Sequence, residues 1–232
     1  MPELLSTEFL IALAVATAAG TMRGFAGFGS GMLMAPVFAI LFGPVETVAV
    51  IILMESVVTV QMMPGVRHEI DWRFVLPMGV AAMLLMPLGS WLLVTVDAEI
   101  VARSMAAIVA GFVVILWTGW RYEGAKPLPV TLAVGGLSGV MMAGTSLGNP
   151  PVTLYLLSSR DSAATNRANF TGYFGITLIT LITMMAVKGL IVAPAAIRAA
   201  VMLPAFAAAA WLGARYFRKA TEQLYQIGRA HV

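Results

Sequence analysis

Two glycine-rich stretches and one isolated carboxylate hold the residues best suited to chemistry. The first stretch is Arg23-Gly-Phe-Ala-Gly-Phe-Gly-Ser-Gly31, and the second is Ala143-Gly-Thr-Ser-Leu-Gly-Asn-Pro-Pro151. Glycine at Gly27, Gly29, Gly31, Gly144 and Gly148 lets backbone N–H groups come close to a bound oxyanion. Each stretch runs into a short apolar segment and so offers a helix N-terminus, with free N–H groups and a partial positive charge. Ser30, Thr145, Ser146 and Asn149 add side-chain donors. Pro150 and Pro151 suit a first helical turn, where a missing N–H costs little. The same glycines also fit a packing role, because Gly27/Gly31 and Gly144/Gly148 have the small-xxx-small spacing of close helix contacts.

Glu55 sits inside the apolar run Ile51-Ile-Leu-Met-Glu-Ser-Val57. A carboxylate within a membrane span is costly and points to function by default. Three roles fit it: a proton-coupling group, the partner of Arg23, or a neutral hydrogen-bonded carboxyl between helices. Beside an anion site it would repel substrate unless protonated, which proton symport would exploit. Arg23 fits either an anion attractor or a snorkelling, headgroup-anchored side chain.

The elements that must position these residues follow from composition. Of 232 residues, 60% are hydrophobic and 11% charged. Ordinary globular chains hold roughly 45–50% and about 25%. So few charges cannot cover a water-facing surface, and the solvent that fits is lipid. Disorder is excluded by the same numbers. With no cysteine there is no disulfide framework, thiolate metal site or cysteine nucleophile. With His68 and His231 as the two histidines, a histidine-rich metal site is disfavoured as well. The net charge of +3 is read by its position across the membrane, not as a nucleic-acid signal.

Apolar segments fall at 5–22, 32–43, 44–64, 72–96, 99–120, 127–143, 150–159, 165–187 and 192–215. A span needs about 20 apolar residues, so 32–43 and 150–159 are too short to cross alone. They are either half-helices of re-entrant hairpins or parts of short aqueous loops between full spans. Hairpins demand that the glycine breaks lie inside protein or line a polar cavity, since unpaired backbone groups in hydrocarbon cost several kcal/mol each. Trp72, Trp91, Trp117, Trp120 and Trp211 fall near span ends and read as interfacial anchors. The start carries Glu3 and Glu8 and does not read as a removable signal peptide.

The chain also repeats. Leu13-Ala-Val15 matches Leu132-Ala-Val134, and Gly20 corresponds to Gly139. Gly27 and Gly31 correspond to Gly144 and Gly148 after a two-residue deletion. The expected organisation is a first repeat at 1–120, a cytoplasmic linker at 121–126, a second, incomplete repeat at 127–226, and a non-native tail at 227–232. Arg67, Arg73, Arg121 and Lys126 fall on one side, and Arg160, Arg167, Arg215, Arg218 and Lys219 join them if each half-helix pair enters and leaves by one face. With Arg103, Lys188 and Arg198 as the basic exceptions opposite, the positive-inside rule makes this side cytoplasmic. The second half then begins on the opposite side from the first. Paired Gly/Pro-interrupted segments in two halves point to a transporter substrate site. By this repeat a final span matching 99–120 is missing, and Ile227–Val232 reads as translated sequencing adapter, which suggests a truncated gene model.

These residues resemble the sulfite exporter TauE/SafE family. Gly24-Phe-Ala-Gly-Phe-Gly-Ser-Gly31 with Met32-Leu-Met-Ala-Pro36 is similar to its first-half signature. Gly144-Thr-Ser-Leu-Gly-Asn-Pro-Pro-Val-Thr-Leu-Tyr-Leu156, with Arg160 and Arg167, is similar to its second. The resemblance implies an all-α, polytopic helical bundle of two inverted repeats that carries small sulfur-containing or carboxylate anions. Sulfite and organosulfonates are the leading substrates, with protons as a possible coupling ion and a bacterial inner membrane as the site. Arg160 and Arg167 then guard the cytoplasmic entrance, although positive-inside anchoring alone explains them. A passive anion channel with the same half-helices is the nearest alternative. An intramembrane enzyme fits less well. Gly27-Phe-Gly-Ser-Gly31 misses the nucleophile-elbow spacing by one residue, and His68-Glu69 lacks a second histidine. There is no P-loop or dinucleotide fingerprint, so no cofactor is expected.

Overall fold

A computed structural model of the protein describes residues 6–118, 127–157 and 161–229, with backbone alone at 149, 157 and 220–229. Among the described residues the chain is helical throughout. The α-helices are α1 (Thr7–Ala26), α2 (Ser30–Phe42), α3 (Pro44–Met62), α4 (Trp72–Thr95), α5 (Ala98–Trp117), α6 (Leu128–Thr145), α7 (Asn149–Leu157), α8 (Ala163–Val187) and α9 (Ala193–Arg229). Two short 3-10 turns join α3 to α4. In hydrocarbon a backbone must satisfy its own polar groups, and a helix does so within one segment. Seven of the nine are long and apolar enough to cross a membrane. At 1.5 Å per residue α2 and α7 reach only about 20 Å and about 14 Å, short of the roughly 30 Å hydrocarbon core.

Polar residues begin and end the elements. Ser6 caps α1 by accepting the Phe9 N–H at 3.2 Å, and Ser162 caps α8 by accepting the Thr165 N–H at 3.0 Å. Capping of α8 thus falls to Ser162. The α8 residue Asn169 accepts the Asp71 N–H at 2.8 Å and ties down the start of α4. Both glycine breaks are shorter than the sequence suggests. Helix α1 runs on to Ala26 and α6 to Thr145, leaving only Gly27-Phe28-Gly29 and Ser146-Leu147-Gly148 between helices. Gly27 ends α1 at φ +84°, a left-handed conformation natural to glycine, while its N–H returns to the Arg23 carbonyl at 2.9 Å. The basic segment after Gly213 continues α9 as far as Arg229, and so takes in the first three residues of the expected tail. The linker at 121–126 lies outside the described residues.

Helix α1 packs along α9, and α4 along α6. Both seams are made by glycine. A Cβ at Gly20 would stand 2.4 Å from the Phe206 carbonyl oxygen, and one at Gly213 would stand 2.2 Å from that of Thr21. On the other seam, a Cβ at Gly139 would stand 2.3 Å from the Ala82 carbonyl oxygen, and one at Gly89 would stand 2.1 Å from that of Val140. With no side chain in the way, the backbones come into direct contact and dispersion is gained along the seam. Helices α3 and α8 pack against each other and are the most enclosed spans, whereas α5 is the least enclosed. Buried Met34, Met54, Met78, Met86 and Met105 fill the spaces between these irregularly crossing helices. Trp72, Trp91, Trp117 and Trp211 are exposed, as interfacial anchors must be.

Candidate functional site

The last turn of α1 brings Arg23 into the interior, where it is fully buried. Each nitrogen of its guanidinium has a partner. Nε donates to Glu55 Oε2 at 2.8 Å, Nη2 donates to Thr59 Oγ1 at 3.0 Å, and Nη1 donates to the Gly27 carbonyl. Its Cζ lies over the Phe174 ring, 4.5 Å from the centroid. Of the roles open to Glu55, partner of Arg23 is the one with direct geometry. The other carboxylate oxygen, Oε1, accepts from the Ser30 hydroxyl. Ser30 opens α2, and Gly29 before it supplies no side-chain cap. The carboxylate therefore sits by the N-terminus of a helix whose first N–H groups have no intrahelical acceptor.

Arg167 arrives from α8 on the other side of the α1 terminus. Its Nη2 donates to the Gly24 carbonyl at 3.0 Å, and its guanidinium lies 5.1 Å from the Phe217 centroid. Its Nε is buried without a hydrogen-bond partner. Both arginines thus serve carbonyl groups at the C-terminal end of α1, where the helix dipole is negative. A Cβ at Gly27 would stand 2.7 Å from Arg167 Cγ, so this glycine makes room for the arginine.

The second break meets the first at a small cavity. Gly31 of α2, Glu55 of α3, Ser146 after α6 and Phe174 of α8 line it, with Ile51, Ile52, Met142 and Leu178 as apolar walls. Its volume is about 10 Å³, close to the room one water molecule needs. Ser146 is the described non-glycine residue with positive φ, at +59°. Its hydroxyl is buried and has no hydrogen-bond partner. A strained residue with an unsatisfied hydroxyl at a cavity is the kind of outlier from which function is inferred.

The remaining candidates are placed differently. The Thr145 hydroxyl donates to the Met141 carbonyl at 2.6 Å and accepts the Leu147 N–H at 3.3 Å, a local capping role. The Gly148 carbonyl accepts from the Ser138 hydroxyl, which in turn accepts from Tyr173 at 2.7 Å. Pro150 is buried in the first turn of α7. Gly29, at φ +96°, turns the chain into α2 beside Met22. Asn149 opens α7, and its side chain, like Arg160, lies outside the described residues. Sequence reasoning missed Thr59 and Phe174. Thr59 was within reach, since it stands four residues after Glu55 and so on the same helix face. Phe174 carries no local signal.

Seven long apolar helices among the described residues, enclosing a buried ion pair and a small cavity, define a multi-pass helical membrane protein. The chain belongs to the sulfite exporter TauE/SafE family, whose model matches residues 12–230. That family is one of membrane transporters. No curated protein and no solved structure matches the chain.

Proposed function

We propose that the protein is a secondary transporter for small anions, sulfite or a related organosulfonate first among them, in a bacterial inner membrane. Its two halves, 1–120 and 127–226, act as inverted repeats that alternate access to a site between them. The observation that carries this reading is that the two glycine breaks share one cavity: Gly31 and Ser146, from opposite halves of the chain, both line it. The packing favours two equivalent halves. Gly20 meets Phe206 and Thr21 meets Gly213, as Gly139 meets Ala82 and Val140 meets Gly89, so the α1–α9 and α6–α4 seams share one register. A cavity the size of one water is several times too small for sulfite. In this reading it is the closed state of a site that opens by moving α1 and α9 against α4 and α6. Family membership supplies the sulfur-anion substrate class.

The test is counterflow of labelled sulfite in liposomes carrying the purified chain. Uptake stimulated by unlabelled sulfite on the far side is the expected result and marks a carrier. Sulfite flux without such stimulation would indicate a channel. Absence of flux for sulfite, sulfoacetate and acetate alike would overturn the anion reading.

A further inference from the structure

We infer that Glu55 is a tethered occupant of the anion site, and that a singly charged sulfonate-type oxyanion binds against Ser146 and the α2 N-terminus once Glu55 takes up a proton. The inference rests on the transporter reading above and specifies how its site is charged. The carboxylate holds the position an incoming oxyanion would take, between the Arg23 guanidinium, the Ser30 hydroxyl and the start of α2. Ser146 lines the same cavity, is only 8% exposed, and has a hydroxyl with no partner. A buried donor left unpaired costs free energy in this state, and a ligand that accepts from it recovers that cost.

The charge count sets the ligand. While Glu55 is ionised, Arg23 and Glu55 cancel, and an arriving anion meets a carboxylate that repels it. A proton on Glu55 leaves Arg23 uncancelled, with one positive charge for one negative charge. Protonation also gives Glu55 a donor, since an ionised carboxylate only accepts. The groups around it leave this count intact. Helix α1 brings Arg23, α2 brings Ser30, and α3 itself brings Thr59. Helices α6 and α8 bring Met142, Ser146, Phe174 and Leu178, which carry no charge. Tyr173 of α8 is bonded to Ser138. Arg167 of α8 is bound to the Gly24 carbonyl and lies outside the cavity lining; its charge and that of Arg218 add positive potential that Glu69 only partly offsets, without taking a place in the site. Arg198 of α9 is paired with Glu46. Proton and anion therefore enter and leave together, and the occupied site carries the same net charge as the empty one.

The probe is methanesulfonate, which stays unprotonated between pH 6 and pH 8, so any proton taken up goes to the protein. Calorimetry on the purified full chain in two buffers of different ionisation enthalpy counts those protons. The expected result is one proton per anion, with Kd rising about tenfold for each pH unit over which that proton is taken up. Glu55→Gln is expected to bind with no proton uptake and a flat pH profile. Ser146→Ala is expected to bind about tenfold more weakly at every pH while keeping the uptake. No proton uptake by the wild-type chain overturns the inference without recourse to any variant, which matters because Glu55→Gln strips Arg23 of its counter-charge. Unchanged uptake in folded Glu55→Gln, or unchanged affinity in Ser146→Ala, overturns it too. If methanesulfonate binds at no pH while the same preparation carries sulfite in counterflow, this inference fails and the transporter reading stands. If neither binding nor flux is seen, both fail.

Discussion

Arg23 and Glu55, 32 residues apart in sequence, form a 2.8 Å ion pair from which water is shut out on the arginine side altogether. The pair holds the C-terminal end of α1, the start of α2 and the middle of α3 in one place. Desolvating two charges is expensive, and their attraction offsets that cost only when the remaining polar atoms are also satisfied. Thr59, Ser30 and the Gly27 carbonyl meet that condition here.

Arg23→Met leaves a buried carboxylate without its cation and should cost about 3–5 kcal/mol. The melting temperature in detergent should fall on the order of 10 °C. Adding Glu55→Met should restore most of that loss, because no charge is then stranded, while sulfite flux stays absent. A single variant that melts like wild type would mean that solvent reaches the pair.

The glycine seams should tolerate no side chain. In Gly20→Ala and Gly139→Ala the added methyl runs into backbone, which cannot rotate away, so each should cost at least 1–3 kcal/mol, roughly the overpacking range. Gly111 has open space around its Cβ position and lies within α5. Gly111→Ala should therefore be neutral or stabilising by up to about 1 kcal/mol. Size-exclusion profiles and melting curves of the three variants side by side would check this, and equal behaviour would refute the close packing.

Ser146→Gly should separate stability from function. Glycine relieves the left-handed strain, which is worth about 1–2 kcal/mol, and removes the one hydroxyl at the cavity without a partner. The variant should melt at or above the wild-type temperature and carry sulfite about tenfold more slowly. Full transport activity would remove Ser146 from the site.

Glu46 and Arg198 join the start of α3 to α9, but their side chains remain 19% and 23% exposed. Partial solvation should hold the loss in Glu46→Gln to about 1 kcal/mol or less. Direct comparison with Arg23→Met by thermal melting would check the ranking, and a larger loss for Glu46→Gln would reverse the relative weight given to the two pairs.

The sequence by itself determined the class and most helix boundaries. Hydrocarbon demands long apolar runs with internally bonded backbone, and that demand is local, so it can be read from composition and punctuation alone. It also marked the glycine breaks, though it drew them too long, because Arg23 to Ala26 can continue a helix once partners exist for the buried guanidinium. Tertiary structure alone decided what the marked residues do. It paired Arg23 with Glu55, sent Arg167 to the Gly24 carbonyl, gave Thr145 to local bonding, joined the Gly148 carbonyl to Ser138, and placed Gly31 and Ser146 on one cavity. Such pairings depend on how closely and in what register distant helices cross. The glycines at 20, 89, 139 and 213 allow that approach, but nothing in their own neighbourhoods says which helix will come to meet them.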